Sequence, residues 1–416
     1  MHYLYHISIH FYYFVVWCAS FYNPKAKLWI EGRKKTFPLL KEKIQKNEKY
    51  YWFHCASLGE FEMARPLMEA IKKNKPNIKI LLTFFSPSGY EVRKNYEYAD
   101  VVCYLPLDTV VNAKKFITRV NPQKVFFAKY EIWPSFLSEL EERHVKSYLF
   151  SAVFHKKHRF FKWWGGYFRK ALRCFTKISV QDEHSRQLLE SINIESTVSG
   201  DTRFDRVAEH AKNVKPDSTV EKFKGNHILV IAGSSWPAEE NMLASYINKH
   251  DKKVKCIIAP HQVNESHIHE IEKLFHVKTI RYSRTAEEEN VQDFDVMIID
   301  NIGMLASVYS YGDIAVIGGG FTGKLHNILE PAAYGLAIFF GPKHERFKEA
   351  ADLIKSGGAF EFKDAEELSS QLNSLVHDHM KLNDTKVFSR VFVENRKGAT
   401  EKILIETGIL SVEKPK

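Results

Sequence analysis

The sequence has no CxxC pair: its five cysteines, Cys18, Cys55, Cys103, Cys174 and Cys256, are scattered along the chain. Such spacing builds neither a zinc site nor a disulfide frame, and an odd, dispersed set reads as reduced core thiols in cytosol. There is no internal repeat and no low-complexity tract, which sets aside solenoid arrays and disordered tails. Residues Tyr3–Tyr22 contain no Lys, Arg, Asp or Glu, and no positive charge precedes them. A cleaved signal peptide carries its cations before the apolar stretch, so that reading is excluded.

What is present is a 416-residue chain with a net charge of +10. It is too long for one ordinary core and implies two domains. The surplus of Lys and Arg implies an anionic partner such as a phosphorylated lipid, a membrane surface, a nucleotide or a nucleic acid. The uncharged stretch holds His6, His10, Tyr12, Tyr13 and Trp17, and a basic run follows at Lys25, Lys27, Arg33, Lys34 and Lys35. About 20 apolar residues can span a bilayer. A membrane anchor or interfacial helix is therefore expected over residues 1–24, with everything after Lys25 on the cytoplasmic side. A packed N-terminal helix is the alternative.

From Tyr50 onward short apolar runs alternate with amphipathic ones. Strands are expected at Tyr51–Cys55, Ile78–Thr83, Val101–Leu105, Lys124–Ala128, Lys146–Phe150 and Lys177–Val180. A polar stretch with Pro216, Val207–Lys224, reads as a linker. The alternation restarts at Ile228–Ala232, Val254–Ala259, Val277–Ile280, Val296–Ile299, Ile314–Ile317 and Ala337–Phe340. Two such series imply an α/β protein with two doubly wound parallel sheets and ligands at the strand C-terminal ends.

Four segments fall at those ends. In Asp313–Pro342 a strand runs into three glycines, a loop with Lys324, His326 and Asn327, and then a helix from about Ile328. Glycines allow close backbone approach, and a helix N-terminus favours an anion; the site is read as one for a phosphate. Glu330, in the first turn, is placed to accept hydrogen bonds from ribose hydroxyls. In Cys55–Pro66 a turn ending at Gly59 sets Glu60 at the start of a helix, as a general base or simply as a capping residue. Glu131 in Lys129–Pro134 lies just past a strand end, on the same rim or merely opening a helix. Arg203 in Gly200–Asp205 faces a carboxylate or phosphate, or makes a surface salt bridge. No metal site is expected, because His267/His269 and His377/His379 are spaced i, i+2 and lie on different sides of a helix. The stretch His155–Arg173 interleaves cations with Phe160, Phe161, Trp163, Trp164 and Tyr167, which suits either a membrane interface or a solvated amphipathic helix.

Taken in order, HCASLGE, TFFSPSGY, YLPLD, KYEIWP, GDTRFD and the GG…HNILEPAAYG run resemble the Kdo (3-deoxy-D-manno-octulosonic acid) transferases of lipopolysaccharide assembly, over nearly the whole chain. The resemblance implies the GT-B fold: two Rossmann-like doubly wound domains with an interdomain cleft and an N-terminal apolar segment. It divides the chain into residues 25–208, binding acceptor, and 209–416, binding CMP-Kdo, with the last helix free to pack back on the first domain. It makes Glu60 the general base and Glu131 and Arg203 stabilisers of the transition state. CMP is assigned to Pro260 and His261, to Gly303, Met304 and Leu305, and to Asn327, Ile328, Leu329 and Glu330. The family often has Arg at His261, Lys at Arg203 and Glu at Met304. The implied reaction is inverting and metal-independent, moves Kdo to a lipid A precursor, needs no cofactor beyond the donor substrate, and runs on the anionic cytoplasmic face of the inner membrane. No cleft residue is expected in Tyr3–Tyr22. The rivals are a GT-B transferase using a UDP-sugar on another lipid and a basic nucleic-acid-binding protein, for which no recognised motif speaks.

Overall fold

The structure, a computed structural model, describes residues 2–45, 47–249 and 254–411. It consists of two compact units, Met1–Arg206 with Lys397–Lys416 and Val207–Arg396. The first holds strands β1 (Tyr50–Cys55), β2 (Lys79–Phe84), β3 (Val101–Tyr104), β4 (Lys124–Ala128), β5 (Lys146–Ala152), β6 (Lys177–Val180) and β7 (Thr197–Val198) in the order β3-β2-β1-β4-β5-β6-β7. The second holds β8 (Ile228–Ser235), β9 (Val254–Pro260), β10 (Thr279–Arg281), β11 (Val296–Ile298), β12 (Ile314–Ile317), β13 (Ala337–Phe340) and β14 (Ala359–Glu361) in the order β10-β11-β9-β8-β12-β13-β14.

The strand pairs are parallel, and the central strands are buried along their length, which is why they read as unbroken apolar runs. Each sheet reverses its winding once, between β1 and β4 and between β8 and β12. Such switch points open crevices at the strand C-terminal ends. Cys55–Glu60 and Lys129–Glu131 stand at the first; Ser235–Trp236 and Gly318–Gly320 stand at the second.

Three segments differ from expectation. Val207–Lys224 is no open linker: it carries the helices Arg203–Lys212 and Ser218–Lys224, and the second buries Val220 and Phe223 completely. The basic run lies in a helix, Pro24–Lys43, started by an Asn23 cap and by Pro24 in its first turn. Arg33 in that run is buried, with its guanidinium over the Trp29 ring at 3.5 Å and Nη2 donating to the Phe85 carbonyl at 2.7 Å. Burial pushes it down to about 9, and it is spent on the core rather than offered to a membrane.

The uncharged N-terminal stretch forms the helix His2–Ala19. Among the described residues no helix is long and apolar enough to cross a membrane, so the spanning alternative is not borne out. Its outer face is nonetheless apolar: Leu4, Ile7, Phe11 and Phe14 are exposed, continued by Phe21. Their spacing of three and four residues makes one stripe along the helix.

Candidate functional site

Ser57 caps the helix Leu58–Asn74, and Glu60 closes a capping box, its Oε2 accepting from the Ser57 amide at 3.1 Å and from the Ser57 hydroxyl. The cap starts the helix two residues earlier than expected and places Gly59 inside it. Glu60 is thus half-buried at the end of β1, in the capping position that the sequence left as its alternative.

Glu131 follows β4 through Lys129, whose φ of +61° turns the chain back over the strand end. Its residue is only 9% exposed. Oε2 accepts from His54 Nε2 at 3.2 Å and from Trp133 Nε1 at 2.9 Å, while Oε1 makes no hydrogen bond among the described residues. Between the two glutamates lies Cys55, whose thiol is pushed well up by burial and by both carboxylates, and so stays protonated.

A cavity of about 650 Å³ opens beside Glu131. Phe85, Tyr130 and Trp133 line it, as do Lys157, Arg159, Phe160 and Trp164 of the basic aromatic stretch. Tyr5 and Ile9 of the N-terminal helix complete the wall, which corrects the expectation that this helix lends nothing to the site. Tyr5 Oη donates to Asp108 Oδ2 at 2.5 Å, and Asp108 also takes the Ser135 and Phe136 amides at the start of the helix Pro134–Glu142. The first helix is therefore tied to the one that follows Glu131.

Burial pushes the Asp108 carboxyl up to about 6, against the pull of the Tyr5 hydroxyl and the two amides. Its folded value lies above its ordinary one, so protonation stabilises the fold fully below the ordinary value, and that contribution is lost as pH rises through about 6. Tyr5→Phe should cost about 1–3 kcal/mol at neutral pH, where the phenol serves an ionised acceptor, and less near pH 5. Urea unfolding at the two pH values checks this, and an equal cost at both contradicts it.

Arg203 is held by Asp201, with Nε at 2.9 Å and Nη2 at 2.7 Å from the same Oδ2. Asp201 is buried and takes Gln181 Nε2 at 3.1 Å as well. The guanidinium faces an internal carboxylate, the salt-bridge alternative, although Asp201 is not itself at the surface.

In the second unit the three glycines after β12 serve the chain itself. A Cβ on Gly318 would fall 2.0 Å from the Ser234 carbonyl oxygen, and Gly319 has φ +89° with its amide on Glu239 at 3.0 Å. Gly318, Gly320 and Gly323 do have the G-x-G-x-x-G spacing, but a loop rather than a helix follows, and the next helix, Leu329–Tyr334, has six residues. The dinucleotide cradle is therefore not built. The Asn327 side chain accepts from the Leu329 amide at 3.0 Å. Glu330, half-buried, makes no hydrogen bond among the described residues; its charge contributes, after burial, to raising Tyr309 and Tyr334. Gly303, at φ +107°, shapes the turn leading to Met304 and the short helix Leu305–Val308.

Pro260 ends β9, and His261 stacks on Trp236 with ring centroids 5.0 Å apart. Trp236 Nε1 donates to His326 Nε2 at 3.2 Å, and His326 lies 4.6 Å from the His261 ring. Burial and the neighbouring His261 bring His326 down to about 4, so it is neutral at physiological pH. The Lys324 ammonium stands 6.0 Å over the Trp236 ring. Trp236 escaped the sequence reading; its only signal was a large aromatic directly before the proline that starts a helix. Asp293-Phe294-Asp295 has the spacing of a metal-binding pair but sits before β11, at the opposite end of the sheet from these groups. Among the described residues no cluster of three or more His, Cys, Asp or Glu could hold a metal ion.

Residues 31–206 match the family model for 3-deoxy-D-manno-octulosonic-acid transferase (kdotransferase). The 3-deoxy-D-manno-octulosonic acid transferase of Aquifex aeolicus is 27% identical over 360 residues, spanning 83% of this chain and 91% of the relative. Among solved structures, the UDP-GlcNAc 2-epimerase of Neisseria meningitidis has a TM-score of 0.60 at 12% identity, covering 86% of this chain and 99% of that one. Acinetobacter baumannii MurG has a TM-score of 0.57 at 12% identity, covering 87% and 100%. The two parallel-sheet units thus resemble the fold of GT-B glycosyltransferases, and the sequence is similar to the Kdo transferases.

Proposed function

We propose that this Kdo-transferase-type glycosyltransferase moves Kdo from CMP-Kdo to a lipid A precursor, with inversion and without a metal ion. The observation that carries the reading is the cavity beside Glu131, where one carboxylate lies among aromatic rings and the cations Lys157 and Arg159. Such a lining suits a phosphorylated glycolipid: rings for acyl or sugar faces, cations for phosphate. In this account Glu60 takes the proton from the acceptor hydroxyl as that oxygen attacks the anomeric carbon, and the bond from that carbon to the CMP phosphate oxygen breaks. Glu131 and Arg203 stabilise charge in the transition state.

The donor's nucleotide is assigned to the second unit, with Pro260, His261, Gly303, Met304, Leu305, Asn327, Ile328, Leu329 and Glu330 around it. Glu330, with no hydrogen bond to surrender among the described residues, takes the ribose hydroxyls. Lys324 supplies a cation for the departing phosphate. Glu330→Ala should weaken CMP binding by about 1–3 kcal/mol; equal affinity of the two proteins in calorimetry would sink the assignment. CMP, and not UDP, should raise the melting midpoint. Stabilisation by UDP alone would favour a UDP-sugar donor, and stabilisation by neither would remove the nucleotide assignment.

We place the enzyme on the cytoplasmic face of the inner membrane. The exposed stripe from Leu4 to Phe21, together with Trp163, which is 92% exposed, supports docking in the interface of an anionic leaflet.

A further inference from the structure

We propose that His54 is a positioning residue for the transfer reaction, acting through Glu131 rather than on the substrates. The inference rests on the role given to Glu131 above. His54 is the penultimate residue of β1 and is completely buried. Both ring nitrogens are used: Nε2 on Glu131 Oε2 at 3.2 Å and Nδ1 on Thr83 Oγ1 at 2.9 Å. A nitrogen facing a carboxylate oxygen presents a proton, so Nε2–H donates to Glu131, while Nδ1 meets the Thr83 hydroxyl, whose oxygen also lies 3.2 Å from the Phe53 carbonyl.

The Thr83 oxygen is fixed in turn by Trp52 Nε1 at 2.8 Å. A polar chain thus runs through the apolar core of the first unit, from Trp52 on β1 to Thr83 on β2, back to His54, and out to the loop after β4. Burying four polar side chains among Phe127, Trp133 and their neighbours is unfavourable unless every member is satisfied. Here Trp52, Thr83 and His54 are all partnered, and the chain ends on the one carboxylate that lines the cavity, of which only Oε2 is engaged among the described residues.

The geometry at Glu131 shows what this arrangement does. His54 and Trp133 reach it from different elements, and both bind Oε2. Two donors on one oxygen hold the carboxylate in a single rotation and leave Oε1 for a ligand. A charge held in place before the reaction stabilises a transition state without reorganisation, whereas a freely rotating carboxylate must be ordered during it. A purely structural histidine has no need to converge with a second donor on one carboxylate oxygen.

The two amide replacements of histidine separate these roles. The Gln amide nitrogen reaches close to where Nε2 stands, and the Asn amide reaches only as far as Nδ1. His54→Gln should keep turnover within a few-fold of the parent, while His54→Asn lowers kcat by roughly ten- to a hundredfold, the effect of a misplaced catalytic group. KM for CMP-Kdo should stay unchanged in both. Equal kcat in the two variants overturns the proposal, whatever their melting temperatures. Should His54→Asn fail to fold, Trp133→Phe removes the other Oε2 donor from a half-buried position. Its kcat must then fall at constant donor KM, and unchanged kcat refutes the positioning role. Glu131→Gln is assayed beside them. If it retains full turnover, the role of Glu131 itself falls; if it is impaired while His54→Asn is not, only the positioning role falls.

Discussion

Glu60→Gln should lower turnover by roughly two to four orders of magnitude while leaving CMP affinity nearly unchanged, as loss of a general base predicts. The structure sharpens this expectation. Glu60 also closes the capping box on Ser57, and Gln is the other residue that fits that position. The substitution therefore removes the base and keeps the cap, so the melting temperature should hardly move. Glu60→Ala removes both, and should add a stability loss of about 1 kcal/mol. Near-normal turnover in the Gln variant, measured with saturating donor, would show that Glu60 is a capping residue and nothing more.

Deleting the residues before Asn23 should abolish flotation with anionic liposomes and also lower turnover by roughly tenfold or more on detergent-dispersed acceptor, the scale of a disturbed binding geometry. The sequence alone pointed to the first effect and against the second. Tyr5 and Ile9 line the cavity beside Glu131, and Tyr5 ties the helix to Asp108. The truncation removes part of a wall and one hydrogen bond to a buried carboxyl. Retained flotation would move the membrane contact to the Trp163 region; full activity of the truncated protein would show that Tyr5 and Ile9 are bystanders.

The central strands were legible because parallel strands covered on both faces are continuous apolar runs, and β4, β6, β12 and β13 fall where such runs do. β7 and β14 were not legible: they have two and three residues, and pairing at a sheet edge rather than pattern makes them strands. The Val207–Lys224 helices were hidden by a polar composition in which only Val207, Ala208, Val220 and Phe223 are buried. The placement of Glu60, Glu131 and Glu330 beyond strand ends, where helices start, could be read from the sequence. His54 could not, because its partners come from β2 and from the loop after β4, neighbours only in the folded sheet. Tyr5 was obscured in the same way, by a separation of 103 residues from Asp108. The glycines after β12 mislead in the opposite direction. They read as room for a phosphate to approach the backbone, yet they are there because Ser234, Lys324 and Gly341 leave no room for a side chain.

The most direct measurement is product analysis by mass spectrometry after incubating the purified full chain with CMP-Kdo and a lipid A precursor. The account predicts CMP release matched by a glycolipid enlarged by Kdo, with the new linkage inverted relative to the donor and the yield unaffected by a metal chelator. An unchanged glycolipid under conditions where CMP binds, or transfer only from a UDP-sugar, would contradict it.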